Sequence, residues 1–435
     1  MSDSSGGRHK QVTVAAHNGD MARPTSSDAI SWRHVPRPVL VVALVTAVCL
    51  LGDSALYVLL PSHLDAFAVS PTGAGLILGI NRYIRIASNS GAGWLFERVG
   101  IRVPLLFAVL LAAATTAAYG LFSGFWPLFL AHGFWGIAWS ILRLGGYLVV
   151  LDAAHGVAVG RFMGVLQGVS RGGSLVAVIV GGLLADLIGG RQALVLFGVI
   201  TLSALAALPF GRIPPHLGKK LEAPAGVSGQ AGEPAIVQQE TRRKLWVLYG
   251  QAVIAWLLIP GLFVSTAGYL VRAVAGDGAT LFGVVLGVGL LSGILVAVRW
   301  VGDLGLGPYF GHLSDRLGRP RVILTAMGAM SAAMLTVALS PTLPVAMAMF
   351  SVIFVGSTAL MISLNASAAE LAPPERRAMV LSRYATWADI GSGTGPLVGL
   401  SLVANVGFGW AYGGGAALMA AAAIWYWSVF ARGRG

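Results

Sequence analysis

Nine charged side chains interrupt the long apolar runs of this 435-residue chain, and they are the residues best suited to chemistry. They are Arg82, Arg85, Arg143, Arg171, Arg299, Arg383, Asp53, Asp303 and Asp389. A charge held in hydrocarbon costs roughly 3 kcal/mol even on a lenient insertion scale, so each should face protein or a water-filled cavity. Arginine keeps its proton and offers a planar fork that suits carboxylate or phosphate. The excess of arginine over acid therefore favours an anionic or zwitterionic ligand.

Helical spacing divides these charges into different kinds of candidate. Arg82 and Arg85 lie one turn apart and share their face with no acid, which favours a role in a substrate pathway. Arg299 and Asp303 are four residues apart, so we interpret them as a structural pair in which each neutralises the other. Arg383 lies near the end of its run, where a long side chain can also reach the membrane interface.

Asp53 is the strongest candidate for a carboxylate that binds and releases protons. Burial favours the neutral form of an acid, whereas a nearby arginine favours the charged form. Two interpretations therefore stay open: proton coupling through Asp53, with Asp389 as the second candidate, or a fixed partnership with one of the arginines. His132 is interpreted as a cavity or packing residue, because no neighbouring ligand spacing supports a metal site.

The composition indicates a membrane protein. Hydrophobic residues make up 56% of the chain and charged residues 11%, and the mean hydropathy is +0.78. A soluble chain carries roughly 25% charged residues. The single Cys49 excludes an intramolecular disulfide and a cysteine-based metal cluster, and no cofactor is expected. No phosphate-binding loop and no nucleophile–base spacing stands out, which argues against an ATP-driven pump and against an enzyme.

Apolar runs close to the ~20 residues that cross a bilayer follow one another along the chain. We predict an all-α polytopic membrane protein with 12 transmembrane helices, arranged as two pseudo-symmetric six-helix halves. The predicted spans are 38–60, 72–93, 103–122, 127–152, 162–187, 192–211, 245–272, 280–305, 322–340, 342–369, 378–404 and 408–430. The predicted segments are a disordered cytoplasmic tail (1–37), a first half (38–211), a linker rich in glycine, proline and basic residues (212–244), a second half (245–430) and a short tail (431–435).

A short basic motif occurs twice, once in each half. Residues 311–321 read GHLSDRLGRPR, and residues 93–102 read GWLFERVGIR with Glu97 in the place of Asp315. Two copies of one pattern, separated by about half the chain, indicate an internal repeat. Both segments resemble the G-x-L-x-D-R-x-G-R-[KR] loop of the major facilitator superfamily of transporters, and the likeness extends from about Pro38 to Phe430.

That resemblance implies two halves that rock about a central site lined by helices 1, 4, 7 and 10. It also implies charge clusters that latch the cytoplasmic gate. The gate candidates are Gly93, Glu97, Arg98, Arg161, Gly311, Asp315, Arg316, Gly318, Arg319 and Arg377. The candidate substrate contacts are Tyr57, Arg82, Arg85, Arg143, Arg171, Ser265, Thr266, Tyr269 and Asn365. Pro260 is expected to break helix 7 and expose its polar residues.

Helix 11 carries a second recognisable pattern. Residues 391–399 read GSGTGPLVG, which is similar to a sequence that marks helix 5 of drug/proton antiporters in the same superfamily. Here the pattern lies in the other half of the chain. We therefore interpret it as a seam of small residues with a proline kink.

The basic residues predict the orientation in the membrane. Most of the 29 lysines and arginines fall at the termini and in the segments predicted to be cytoplasmic, whereas the outer loops hold only Arg191 and Arg272. The positive-inside rule then places both termini in the cytoplasm, in a bacterial inner membrane. The net charge of +12 is explained without nucleic acid. A monomer in the lipid bilayer is expected.

These observations predict a proton-coupled secondary transporter of a small anionic or zwitterionic organic solute. Proton-driven efflux of amphipathic drugs is an alternative, for which Trp135, Trp139, Trp256 and Trp387 would supply apolar contacts. A transporter-like sensor or a lipid flippase is a further alternative. The substrate is left open.

Overall fold

The computed structural model describes residues 35–154, 159–214, 217, 235–281, 283–373 and 376–430, and Pro36–Gly435 forms one compact unit. Most of the predicted tails and the central part of the predicted linker lie outside the described residues. The last ten residues assigned to the linker are helical, because the next helix already begins at Ala235.

The first half consists of helices that follow the predicted spans closely. They are α1 (Arg37–Ser62), the short α2 (Leu64–Phe67), α3 (Pro71–Val99), α4 (Arg102–Leu121), α5 (Phe125–Ala153), α6 (Val159–Ile188) and α7 (Gly190–Ala207). The start of α3 follows ordinary capping rules: the Ser70 side chain accepts a hydrogen bond from Gly73 N, and Pro71 occupies the first turn. At the other end of α3, Gly100 adopts a positive φ of 73° and turns the chain.

The second half repeats this plan with two interruptions. Its elements are α8 (Ala235–Trp256), α9 (Val264–Ala275), strands β1 (Gly278–Leu281) and β2 (Val284–Gly287), α10 (Val288–Val301), α11 (Gly307–Leu317), α12 (Arg319–Leu339), α13 (Leu343–Leu371) and α14 (Arg377–Phe430). One π-helical turn (Leu257–Phe263) joins α8 to α9, and another (Gly302–Leu306) joins α10 to α11. Each joined pair makes one long membrane helix.

These elements give the predicted twelve membrane helices. Ten helical stretches among the described residues are long and apolar enough to cross a bilayer, and one of them, Met379–Phe430, contains two helices that meet at a kink at Gly407. The remaining helix is α3, whose 29 residues include Arg82 and Arg85 and are therefore more polar than the others. The all-α polytopic fold is confirmed.

Two local predictions in the second half are wrong. The sequence predicts that a membrane helix begins at residue 280, but the antiparallel β1–β2 hairpin occupies this region and the helix begins at Val288. The sequence also predicts that Pro260 breaks helix 7. Instead, the π-helical turn accommodates it and the helix continues without a gap.

The two halves touch at the end of the bundle that carries the β hairpin, which we call the outer end. The opposite end, with the turns at Gly100 and Gly318, is the inner end. At the outer end, a Cβ on Gly75 of α3 would lie 2.6 Å from Pro396 O of α14. A Cβ on Gly289 of α10 would lie 2.5 Å from Gly182 O of α6. Only glycine permits helices of the two halves to approach so closely at these positions.

A carboxylate reinforces the outer contact. Asp186, near the end of α6, accepts hydrogen bonds from Gly289 N and Leu290 N in the first turn of α10, both at 2.8 Å. These backbone amides have no partner within their own helix, and the helix dipole favours a negative charge beside them. One acid of the first half therefore caps a helix of the second half.

Towards the inner end, α6 no longer packs against α10. Added Cβ atoms on Gly164, Gly168 and Gly172 would meet no atom within 4 Å, in contrast to Gly182 further along the same helix. Gly311 on α11 is equally free of neighbours. Within the described residues, the halves are therefore packed together at the outer end and separate along this seam towards the inner end.

We predict that Asp186→Asn weakens closure of the outer end. An amide lacks the charge that binds the two α10 amides, and a charge-assisted hydrogen bond contributes roughly 1.5–3 kcal/mol. Ser62 is buried and faces Gly268 across the halves, so Ser62→Cys in a Cys49→Ala background reports on this end. A membrane-impermeant maleimide should label it about tenfold faster in the Asp186→Asn variant.

The matched control is Asp65→Asn, which removes an exposed acid at the same end. It should leave the labelling rate unchanged. Equal labelling rates with and without Asp186→Asn would show that the carboxylate does not hold the outer end closed.

Candidate functional site

An ion-pair cluster joins the two halves near the middle of the bundle. Arg85 Nη2 of α3 lies 3.2 Å from Asp389 Oδ1 of α14 and donates a hydrogen bond to Oδ2 at 3.4 Å. Arg82 Nη1 lies 3.9 Å from Asp389 Oδ1. The sequence placed both arginines on one face without an acid, and the structure supplies that acid from the other half. One carboxylate therefore serves two guanidinium groups.

Two N–H donors of the cluster form no hydrogen bond with any described residue. The Nε atoms of Arg82 and Arg85 are buried, and among the described residues neither finds a hydrogen-bond acceptor. The Arg82 side chain keeps 22% of its surface exposed and Asp389 keeps 13%, so the cluster is not sealed. Two cations that share one acid, with unused N–H donors, form a site that can accept a further anionic group.

An aromatic wall stands next to Arg85. The Arg85 guanidinium carbon lies 6.0 Å from the Trp139 ring centroid, and Trp139 stacks on Trp135 at 5.7 Å. Trp135 in turn stacks on the His132 ring at 6.3 Å. All three rings lie along α5, where residues three and four apart share a face. His132 and Trp135 are buried, so Trp139 is the ring of this wall that can contact the apolar part of an organic ligand.

Asp53 lies behind this wall and has no arginine within ion-pair distance among the described residues. Asn81 Nδ2 donates to Asp53 Oδ1 at 3.4 Å, and His132 Nε2 lies 3.9 Å from the same oxygen. His132 is fully buried, with its Nδ1 3.0 Å from the Tyr119 hydroxyl. Asp53 thus differs from Asp389 and Asp303, which are both paired with arginine. A buried carboxylate without an arginine partner is suited to binding a proton.

The predicted pair between Arg299 and Asp303 is wrong. Asp303 Oδ2 lies 3.0 Å from Arg171 Nη1 of the first half, and Asp303 Oδ1 accepts a hydrogen bond from Thr358 at 2.9 Å. The π-helical turn begins at Gly302, between the two residues, and a widened turn no longer places positions four apart on one face. The Arg299 guanidinium carbon instead lies 5.0 Å from the Trp300 ring centroid.

Arg143 lies apart from the central cluster. Its Nη2 donates to Asn89 Oδ1 of α3 at 3.1 Å. Tyr147, one turn further along α5, accepts a hydrogen bond from Gln167 of α6 at 3.3 Å. The two contacts form a polar layer within the first half, closer to the inner end than Arg85. Arg143 remains a prediction as a substrate contact.

The polar residues predicted on helix 7 do not join the site. Ser265 and Thr266 are fully buried, and their hydroxyls donate to backbone carbonyls of the preceding turn, Gly261 O and Leu262 O. Their expected exposure depended on a broken helix, which the π-helical turn avoids. We therefore correct both to packing residues.

Two further predicted contacts lie elsewhere. Tyr269 lines a separate cavity of about 560 Å³ at the outer end, together with His63, Asp65 and Arg272. Asn365 on α13 is exposed and forms no part of the arginine cluster. Tyr57 does lie near the site, where its hydroxyl donates to Leu78 O of α3 at 2.9 Å.

The predicted gate residues lie at the inner end. Gly318 has a φ of 87° and forms the turn between α11 and α12. Arg319 lies 3.1 Å from Asp315 and donates through Nε to Glu370 at 2.7 Å, and all three belong to the second half. In the first half, the Arg98 guanidinium lies 4.2 Å from the Trp94 ring centroid.

The remaining gate candidates also lie at this end. Glu97, Arg161, Arg316 and Arg377 occupy the last or first turns of α3, α6, α11 and α14, and Gly93 and Gly311 lie further inside α3 and α11. Their role as a latch between the halves remains a prediction. The contacts described for Arg319 lie within one half, as expected where the halves are separated.

Sequence reasoning missed several residues of the site. Asn81 adjoins Arg82 in the sequence, but nothing in the spacing connects it with Asp53. Asp186 looked like an ordinary acid near a helix end. Trp139 was considered only as an apolar contact, whereas its ring lies beside Arg85. Each of these roles depends on a partner from another helix.

Comparisons with known proteins agree with the geometry. A family model described as Major Facilitator Superfamily matches residues 42–305 and 287–434. The multidrug resistance protein MdtG of Enterobacter lignolyticus is 25% identical over 80% of this chain and 81% of its own length. MdtG of Citrobacter koseri is 24% identical over 86% and 90%.

Solved structures show the same fold at low identity. A peptide transporter POT in complex with sulfate superposes with a TM-score of 0.72 at 12% identity, over 90% of this chain and 93% of that chain. A mutant of the nucleoside transporter NupG gives a TM-score of 0.71 at 14% identity, over 91% and 99%. With its two six-helix halves and its matching motifs, this multi-pass membrane transporter belongs to the Major Facilitator Superfamily.

Proposed function

We propose that this transporter moves a small organic anion together with protons, and that the Arg82–Arg85–Asp389 cluster is where the two meet. The single observation that carries the proposal is the contact of Arg85 with Asp389 across the halves. We also propose that both termini face the cytoplasm and that the linker 212–244 joins the halves on that side, as the basic residues suggest.

The cluster supports proton linkage for an electrostatic reason. Arg85 is 4% exposed, and a cation so deeply buried needs an anionic partner. Asp389 supplies that partner in the structure. When the acidic group of a substrate takes its place, Asp389 loses its cation, and its charged form becomes unfavourable in the low-dielectric interior. A proton from water then adds to an Asp389 oxygen, while both arginines keep their charge.

This exchange would make anion and proton bind together. It would also remove one of the contacts between α3 and α14, which belong to different halves. Binding at the centre is thereby connected to the separation of the halves that alternating access requires. The partly exposed Trp139 ring beside Arg85 favours an organic solute over a bare inorganic ion.

A second candidate, proton-driven multidrug efflux, is supported by the names of the MdtG relatives. In this chain Asp53 would be the exchange site, since it lacks an arginine partner within ion-pair distance among the described residues. A carboxylate holds either a proton or a cationic drug, so the two would compete. The two candidates therefore predict opposite linkage between ligand and proton.

The first prediction concerns Arg85→Gln. Loss of the buried cation should lower the rate of counterflow of radiolabelled organic acids in proteoliposomes by roughly 10- to 150-fold, since a charged hydrogen bond contributes roughly 1.5–3 kcal/mol. Arg383→Gln is the control, because Arg383 is exposed at the inner end of α14. The control should transport at the normal rate. Normal counterflow by folded Arg85→Gln would refute the anion site.

The second prediction concerns the direction of proton movement on binding. In weakly buffered solution, the purified protein should take up protons when an organic acid binds, and Asp389→Asn should take up none while it still binds the acid. Proton release on addition of a lipophilic cation, abolished by Asp53→Asn, would instead establish the efflux candidate. Binding without flux in proteoliposomes would indicate a sensor.

A further inference from the structure

We propose that Arg299 binds a second acidic group of the substrate, on the opposite side of the site from Arg82 and Arg85. This inference rests on the proposed function and deepens it, because it names the substrate class as an organic acid with two separated acidic groups. Arg299 lies on α10 in the second half, whereas Arg82 and Arg85 lie on α3 in the first.

The distribution of charge around the site sets Arg299 apart. Asp389 is engaged by Arg82 and Arg85, and Asp303 is engaged by Arg171 and Thr358. Asp53 contacts Asn81 and His132. Every acid inside the described membrane spans near the site thus has another partner. Arg299 forms no ion pair with any described residue.

Burial makes the positive charge of Arg299 energetically unfavourable. Arg299 is 8% exposed, and its buried Nε finds no acceptor among the described residues. The face of Trp300, 5.0 Å away, offers attraction from its ring electrons, but a ring accepts no conventional hydrogen bond in the plane of the guanidinium. A cation desolvated without an anionic partner destabilises the fold, and a charged residue inside a membrane span is a candidate for binding a ligand of opposite charge.

The backbone explains why Arg299 forms no ion pair with Asp303. Without the π-helical turn at Gly302–Leu306, Asp303 would lie one regular turn from Arg299 and could neutralise it. The widened turn directs Asp303 to Arg171 instead. π-helical turns occur frequently at functional sites, where they redirect a side chain. Here the turn separates an acid and a base that the sequence places together.

The surroundings of Arg299 direct it to the central site. It is close enough to interact electrostatically with Arg82, Arg171, Tyr57 and Asp303. Three of these belong to the first half, and the Arg171–Asp303 ion pair joins the two halves four residues further along from Arg299. A substrate held by Arg85 at one end and by Arg299 at the other would contact both halves at once. Either carboxylate or phosphate suits the guanidinium fork.

The test compares acids that differ only in the second acidic group. Unbranched monocarboxylates of about four to eight carbons and the dicarboxylates of equal length serve as probes, because each carboxylate suits one guanidinium fork. Their dissociation constants are measured by tryptophan fluorescence and confirmed by counterflow. The full-length protein should bind the best dicarboxylate at least about tenfold more tightly than its monocarboxylate.

Arg299→Gln should reduce that ratio to about one and leave monocarboxylate binding unchanged. Arg299→Lys keeps the charge but loses the fork, so it should restore part of the ratio and serves if the glutamine variant does not fold. Arg383→Gln is again the control and should keep the full preference. A merely structural role of Arg299 would weaken both acids equally and would not change their ratio.

Several outcomes would overturn the inference. An unchanged ratio in folded Arg299→Gln would do so, as would a wild-type protein that binds both acids equally. Chloride serves as a further probe in the same assay: if it competes with the dicarboxylate but not with the monocarboxylate, and does so only when Arg299 is present, Arg299 holds an inorganic counter-ion. Failure of every acid to bind would instead refute the proposed function itself, which separates the two failures.

Discussion

The interior of a bilayer provides no water to solvate a charged side chain, and this constraint shapes the centre of the protein. Arginine cannot escape it by losing its proton, so each buried guanidinium must find a carboxylate, an aromatic ring or a ligand. Arg85 finds Asp389, and Arg299 finds only the face of Trp300 among the described residues. Arg171, whose side chain is 40% exposed, pairs with Asp303. The positions at which compensation is shared or incomplete are the positions at which a ligand can act.

The same compensation connects the two halves of the molecule. Arg85 and Arg171 belong to the first half, and their acids belong to the second. Asp186 extends the pattern to the outer end, where its carboxylate caps α10. Glycine contacts at Gly182 and Gly289 bring the helices close enough for that bond. Charges therefore neutralise one another across the surface between the two halves.

Two π-helical turns show how a small change in the backbone alters which side chains meet. The turn at Leu257–Phe263 absorbs Pro260 and keeps Ser265 and Thr266 inside the packed bundle. The turn at Gly302–Leu306 moves Asp303 away from Arg299 and towards Arg171. In both cases, counting residues along a regular helix gives the wrong face. The wrong assignment of a face is a local error, yet it changes which side chains are predicted to be exposed and which are predicted to be paired.

The amino-acid sequence by itself determined the membrane class, the twelve helices and the repeat, because these depend on the length and composition of apolar runs and on a short motif. It also identified Arg82, Arg85, Asp389 and Asp53 as residues of interest, since a charge in an apolar run is costly wherever it points. Only the tertiary structure decided their partners. Asp389 lies 304 residues from Arg85 in the chain, and spacing within one helix carries no information on contacts between helices. Where pairing crosses from one half to the other, or where a widened turn alters the face, the packed fold alone selects the partner.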